Sequence, residues 1–214
     1  MIKILSTVCR KPGMNLDDFT AYWRTTHADA VKRVSGIRRY VQSQTIASGY
    51  RKGQPPYDGI AEIWYDDIAT ARRAAATPEA AEALKDDDNF LDMKRFASII
   101  TDEVVQLDGA TTPSMVKLTE FVVRRPDLDP VAFHKYWTEV HGPLGATIKQ
   151  MRRYVQSHAR PSSYRDGRTP FIDGVAQVWF EDTNAMRESA TTPEYAAVRA
   201  DEPNFIDPSH LSFI

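Results

Sequence analysis

The chain has 214 residues, of which 42% are hydrophobic and 26% charged, and its formal net charge is −2. This balance excludes a basic footprint for nucleic acid and an acidic tail, and no apolar run approaches the roughly 20 residues that span a bilayer. The single cysteine, Cys9, allows neither an internal disulfide nor a cysteine-based zinc site, and with no signal-peptide pattern at the N-terminus the expected location is cytoplasmic.

Taken in chain order, Ile2–Cys9 alternates and is β-rich, which predicts a strand and a small buried side chain at Cys9. Asn15–Thr26 sets Leu16, Phe19 and Trp23 on one helical face, with Asn15 placed to cap it and Asp17 and Asp18 suited to its first turn. Ile37–Gln44 reads as a second strand, Ser48–Gly59 as a Gly/Pro-rich loop, and Ile60–Tyr65 as a third strand. Asp67–Leu84 is Ala-rich, with Pro78 early in a second helical piece, and Phe96–Ile100 starts a fourth strand. The order β-α-β-β-α-β is the ferredoxin-like arrangement of an α+β fold.

The same text then returns. RRYVQS stands at 38–43 and again at 152–157; Phe19, Tyr22, Trp23 and His27 recur as Phe133, Tyr136, Trp137 and His141; Asp58-Gly59 recurs as Asp173-Gly174 and Asn89-Phe90 as Asn204-Phe205. Two copies of this length indicate a duplicated domain and not a solenoid, whose period is about 20–50 residues. The expected boundaries are 1–107 for the first repeat, 108–115 for a polar linker and 116–214 for the second repeat. Each four-stranded sheet, with both helices on one side, leaves an apolar face bare. Packing the two sheets face to face within one chain, as a pseudo-dimer, is the economical solution, with the whole chain expected as a monomer or as a homodimer of whole chains through the helices. Thr101–Leu107 has no counterpart in the second copy and is expected to cross over and pair with the other half.

The ArgLysProGly turn, the Phe-x-x-Tyr-Trp-x-x-x-His run, RRYVQS, Asp-Gly-Ile-Ala-Glu-Ile-Trp and Asn-Phe together resemble the EthD family of the dimeric α/β-barrel superfamily, across nearly all of both halves. The resemblance implies a barrel with a mostly apolar pocket and a histidine near it that handles protons. Similar proteins include cofactor-free dehydratases, decarboxylases and cyclases of polyketide pathways, and accessory proteins of xenobiotic degradation. The second copy departs from the pattern at Arg124-Arg125-Pro126-Asp127, which lacks the turn glycine.

His27 and His141 each follow a tryptophan by four residues, and each is expected to end its helix. Each can be read as a structural histidine at a helix C-terminus or as a general acid or base whose pKa lies near neutrality. Strand parity puts Arg38, Tyr40, Gln42 and Gln44 on one face, matched by Arg152, Tyr154, Gln156 and His158. Ile60, Glu62 and Trp64 share another set, matched by Val175, Gln177 and Trp179. Both mixed sets are assigned to the interior, as aromatic walls with a few polar groups; plain core packing, with the polar tip hydrogen-bonded, is the alternative for Tyr40, Tyr154, Trp64 and Trp179, and Trp23 and Trp137, on the helix faces of His27 and His141, are further candidates for contact with a ligand. Where the framework matches, proposed lining residues differ: Gln44 aligns with His158, Glu62 with Gln177, Ser6 with Glu120 and Thr7 with Phe121. His141, His158, Tyr154 and Glu120 favour the second half as the working pocket, and Glu62 argues for the first. Asp86-Asp87-Asp88 reads as a solvated acidic stretch, Asp58 and Asp173 as turn residues, and His134 and His210 as scattered, with no metal spacing.

The function expected is that of a cofactor-independent lyase or isomerase acting on a small apolar, aromatic or polyketide-like carbonyl compound, by dehydration, decarboxylation or aldol-type cyclisation. His141 or His27 would abstract the proton, and Tyr154 or Tyr40 with a nearby Arg would steady the enolate oxygen. The alternatives are a barrel that holds a hydrophobic ligand or haem, with His27, His141 or His158 as axial ligand, and a cofactor-free monooxygenase.

Overall fold

A computed structural model describes residues 1–210 and 212–214, which fall into two compact units, Met1–Ile100 and Thr101–Ile214. In the first unit, β1 (Ile2–Val8) is followed by α1 (Leu16–Tyr22), a wide π-helical turn at Trp23–His27, α2 (Ala28–Lys32), β2 (Arg39–Gln44), β3 (Gly59–Tyr65), α3 (Ile68–Ala75), α4 (Pro78–Phe90) and the opening residues of β4 (Ala97–Leu107). The strands lie in the order β2-β3-β1-β4, and β3 is antiparallel to both β1 and β2.

The second unit repeats the plan with β5 (Val116–Val122), α5 (Pro130–Tyr136), a π-helical turn at Trp137–His141, α6 (Gly142–Gly145), β6 (Met151–Ala159), β7 (Gly174–Phe180), α7 (Thr183–Ser189), α8 (Pro193–Asp201) and β8 (Ser212–Phe213). Thr101–Leu107, the later part of β4, belongs to this unit and pairs antiparallel with β6, Val104 opposite Gln156, as expected of the segment without a counterpart. The ferredoxin-like α+β fold therefore occurs twice.

Local chemistry explains the elements. Asn15 accepts from the Asp18 amide and Asp129 from the amides of Val131 and Ala132; Asp67 and Asp182 cap α3 and α7; Thr77 and Thr192 cap α4 and α8, each followed by a proline that needs no amide partner there. Each such cap contributes about 1 kcal/mol. Phe19 and Phe133 are fully buried beneath the first helix of each unit and stack on Phe90 and Phe205. Burying a ring of that size contributes roughly 1.5–3 kcal/mol.

The helices do not end at the histidines. The chain stays helical through His27 into α2 and through His141 into α6, with Gly142 and Pro143 inside the continuing turn. A proline in the first turn after the wide π segment costs no essential bond, which is why Gly-Pro fails to stop this helix. Asp58-Gly59 and Asp173-Gly174 are likewise more than turns. Asp58 and Asp173 are buried and bind Arg10 and Arg124. The indoles of Trp23 and Trp137 lie so close to Gly59 and Gly174 that a Cβ would sit 2.6 and 2.5 Å from ring carbons.

Candidate active site

Each unit contains a cavity between its own sheet and its own helices. The first measures about 310 Å³ and the second about 390 Å³. Strand register decides which side chains reach them. Tyr40 lies opposite Ile63 and Gln42 opposite Ala61, so the Tyr40 set shares its face with Ala61 and Ile63. Glu62 pairs with Val41, on the other face, together with Trp64. The same holds in the second unit, where Tyr154 lies opposite Val178 and Gln156 opposite Ala176, leaving Gln177, Trp179 and Phe121 on the other side. The two mixed sets therefore do not share one interior. Parity within each strand is as read, but the faces pair across strands the other way.

The residues off the cavity face have their own partners. Glu62 forms a buried ion pair with Lys3, Nζ to Oε1 3.1 Å. Lys3 and Arg39 lie over the ring of Trp64, and Lys117 lies over Trp179. Phe121 is buried in the sheet. Arg38 and Arg152 point outward, Arg38 paired with Asp66 and Arg152 with Glu181, and neither reaches a cavity. Trp137 is core beside the second cavity, whereas Trp23 lines the first.

His27, His141, Tyr40, Tyr154 and Glu120 do line cavities. His141 Nδ1 lies 2.9 Å from Asp201 Oδ2; Tyr136 donates its hydroxyl to Asp201 Oδ1 at 2.6 Å, and Asn204 donates to the same oxygen at 3.0 Å. The first unit repeats the arrangement with His27, Asp86, Tyr22 and Asn89 at 3.0, 2.6 and 3.0 Å. Burial works to raise both aspartates, but hydrogen bonds from the tyrosine, the asparagine and the histidine hold each below its ordinary value, so each is a carboxylate. A carboxylate only accepts, so the imidazole donates Nδ1–H and keeps its lone pair on Nε2. Burial lowers the pKa of both histidines below 6.5 despite the aspartate partner, which keeps them neutral at pH 7. Among the described residues, His141 Nε2 has no hydrogen-bond partner; His27 Nε2 lies 3.6 Å from Asp87.

Tyr154 is set by a buried amide. Gln156 Nε2 donates to Trp137 O at 2.8 Å and to the Tyr154 hydroxyl at 3.0 Å. The tyrosine oxygen thus accepts from the protein, and its own proton is left for a ligand. Gln42 holds Tyr40 in the same way, at 2.8 Å. His158 does not line the cavity; its Nε2 bonds to Gln156 Oε1 at 3.1 Å and its Nδ1 to His134 Nδ1 at 2.8 Å. Burial, followed by the neighbouring His134, lowers the His158 pKa to about 3, and burial lowers that of His134 to about 4.

The aspartates do not stand out in the sequence alone. Asp86 is the partner of His27, and Asp87 is buried with its pKa raised to about 7 by burial and by its acidic neighbours, so this is not a solvated run. The signal was present: Asp-x-x-Asn-Phe recurs at 86–90 and 201–205, in step with the histidines. Arg199 and Glu202 were also missed; both line the second cavity, where the first has Leu84 and Asp87.

A model of the EthD domain matches residues 11–94 and again residues 125–209. Among solved structures, an anthrone oxidase-like protein superposes with a TM-score of 0.68 at 8% identity, covering 99% of this chain and 88% of its own. A candidate monooxygenase from Lactobacillus acidophilus NCFM gives 0.58 at 11% identity, covering 99% and 90%. An EthD family protein from Bacillus halodurans C-125, 23% identical with a TM-score of 0.42, is covered over 99% of its length by 49% of this chain. At these identities the likeness is one of fold. No curated protein matches the sequence.

Proposed function

The chain belongs to the EthD domain family, with the domain present twice, and on that premise we propose that its second half is an acid–base enzyme for a small, largely apolar carbonyl compound. The observation that carries this reading is the His141–Asp201 dyad, whose imidazole, with Nε2 unpartnered among the described residues, lines a largely apolar cavity together with Tyr154. A neutral imidazole held by an ionised carboxylate is a competent general base at neutral pH. It would take a proton from the carbon next to the carbonyl. Tyr154, its oxygen already accepting from Gln156, would donate to the enolate oxygen as charge develops there. Apolar walls such as Val178 and Phe180 suit an aromatic or polyketide-like skeleton. Dehydration, decarboxylation and aldol-type cyclisation all begin or end with such an enolate.

Proton abstraction can be tested before the natural substrate is known. Aromatic methyl ketones and β-hydroxy ketones incubated with the protein in deuterium oxide should exchange their α-protons faster than in buffer, and His141→Ala and His141→Gln should abolish the gain. Full exchange in both variants, with the fold intact, removes histidine from the mechanism.

Cofactor-free oxygenation is the second reading, supported by the full-length fold relatives described as a candidate monooxygenase and as anthrone oxidase-like. It begins with the same deprotonation and parts from the first at oxygen uptake. An oxygen electrode run with any compound that exchanges separates the two.

A further inference from the structure

The second cavity holds a group of charges that the base does not use and the first cavity lacks. Arg199 Nη1 lies 2.7 Å from Glu202 Oε1 and 3.5 Å from Glu120 Oε1, and all three side chains line the cavity together with His141 and Tyr154. The positions aligned with Glu120, Arg199 and Glu202 are Ser6, Leu84 and Asp87. The group is close enough to the proposed machinery for Arg199 to act on His141, and for Glu120 and Glu202 to act on Tyr154, through their charges.

We propose that Glu202, held with Glu120 on the guanidinium of Arg199, is the proton donor of this cavity, complementing the base His141. Two carboxyl groups share one cation in a largely apolar wall. With both ionised, the group carries a surplus negative charge that burial disfavours; with one protonated, it is a neutral set of one ion pair and one carboxylic acid. Burial, then Glu120, moves the Glu202 pKa up to about 7 against the pull of Arg199, and burial raises that of Glu120 as well. The charged and titratable groups that line the cavity with Glu202 are Glu120 on β5, Arg187 on α7, Tyr195 and Arg199 on α8, and His141 and Tyr154; Asp201 precedes it on α8, and of the two arginines it is Arg199 that pairs with Glu202 and Glu120. Asp201 is committed to His141, Tyr136 and Asn204 and is not available as the donor. Tyr154 can donate a hydrogen bond, but burial raises its pKa far above neutrality, so it does not give up its proton.

This assignment rests on the acid–base reading above and extends it to reactions that need a donor as well as a base. Elimination from a β-hydroxy ketone is the simplest. His141 takes the α-proton, the carbon–oxygen bond at the β-carbon breaks, and the Glu202 carboxyl protonates the departing hydroxyl as water. The products are an enone and water; the proton on His141 then returns to the Glu202 carboxylate, and no oxidant or reductant enters.

The probe is the aldol of benzaldehyde and acetone, followed in deuterium oxide for α-exchange by NMR and for enone formation by absorbance. Glu202→Gln should slow elimination by about 10²-fold or more beyond any change in exchange, the scale of general acid catalysis. Glu202→Asp, which copies the first half, should recover part of the rate. His141→Ala should lose both steps. Elimination as fast in Glu202→Gln as in the parent overturns the donor role and leaves the base standing. Absence of protein-dependent exchange in the parent overturns the base reading and this one with it. A carbon-13 titration of labelled glutamate needs no substrate: one of the two carboxyls should still hold its proton near neutral pH, and complete ionisation of both by pH 5 refutes the proposal.

Discussion

The two halves keep one polar constellation and differ in the cavity beside it. His27–Asp86–Tyr22–Asn89 and His141–Asp201–Tyr136–Asn204 agree to within 0.1 Å in each matching distance. Around them, Ser6, Leu84 and Asp87 stand where the second half has Glu120, Arg199 and Glu202, and Gln44 and Thr20 stand where it has His158 and His134. A buried aspartate–histidine pair fixed by two further hydrogen bonds is thus compatible with either a charged or a nearly charge-free cavity. The dyad by itself does not define a reaction; the groups it faces do.

The largest test of that contrast removes each base in turn. His141→Ala should reduce α-proton exchange by roughly 10²–10⁴-fold, while His27→Ala should leave it near the parental rate. Equal losses would make the halves equivalent and end the contrast. Burial lowers the His141 pKa, so exchange by the parent should stay level through neutral pH and fall only as pH drops below the usual histidine range. A second test concerns what the halves share: Phe90→Ala and Phe205→Ala should each destabilise the protein by about 3–5 kcal/mol in denaturant unfolding, because each deletes a fully buried ring.

The paired histidines give a subtler test. The folded-state values of about 4 for His134 and about 3 for His158 lie below the 6.5 of the unfolded chain. Between those limits the unfolded state binds more protons, so this pair makes stability fall as pH falls from about 6.5 toward 3. Asp87 and Glu202, raised to about 7, act in the opposite sense, but they are common to the parent and to the variant. The double variant His134→Thr with His158→Gln, which copies the first half, should therefore lose less stability on acidification, as read by melting temperature against pH. The smallest effect expected is about 1 kcal/mol from Thr77→Ala or Thr192→Ala at the matching helix caps. Unequal values there would show that the frameworks have diverged along with the cavities.

Much of the fold was legible because its determinants are local or repeated. Strand alternation at 2–8, the Asn15 cap and the doubled RRYVQS each speak through neighbouring residues or through copying. The site was legible only in part. Period-two reasoning sorts Tyr154 from Val155 within a strand, but it cannot tell whether Tyr154 faces Val178 or Gln177, since that depends on pairing register with a distant strand. Asp86 and Asp201 were hidden for a similar reason: they meet histidines 59 and 60 residues away, and an acidic run looks solvated until its partner is known. Glu120 was visible as a difference between the copies, yet Arg199 on α8 and Glu202 just past its end were not.

The wide turns at Trp23–His27 and Trp137–His141 carry a consequence for how such a site can change. Each spends an additional residue on one revolution, so the imidazole's bearing is set by how many residues precede it as much as by what they are. Deleting a single residue from the helix ahead of such a turn would swing the ring by about 100° around the axis, whereas a deletion inside the turn would restore ordinary α-helical pitch with both flanks in register. Point substitutions can retune the surroundings of such a histidine while its aim persists, and a loss of one codon ahead of the turn would erase that aim at a stroke.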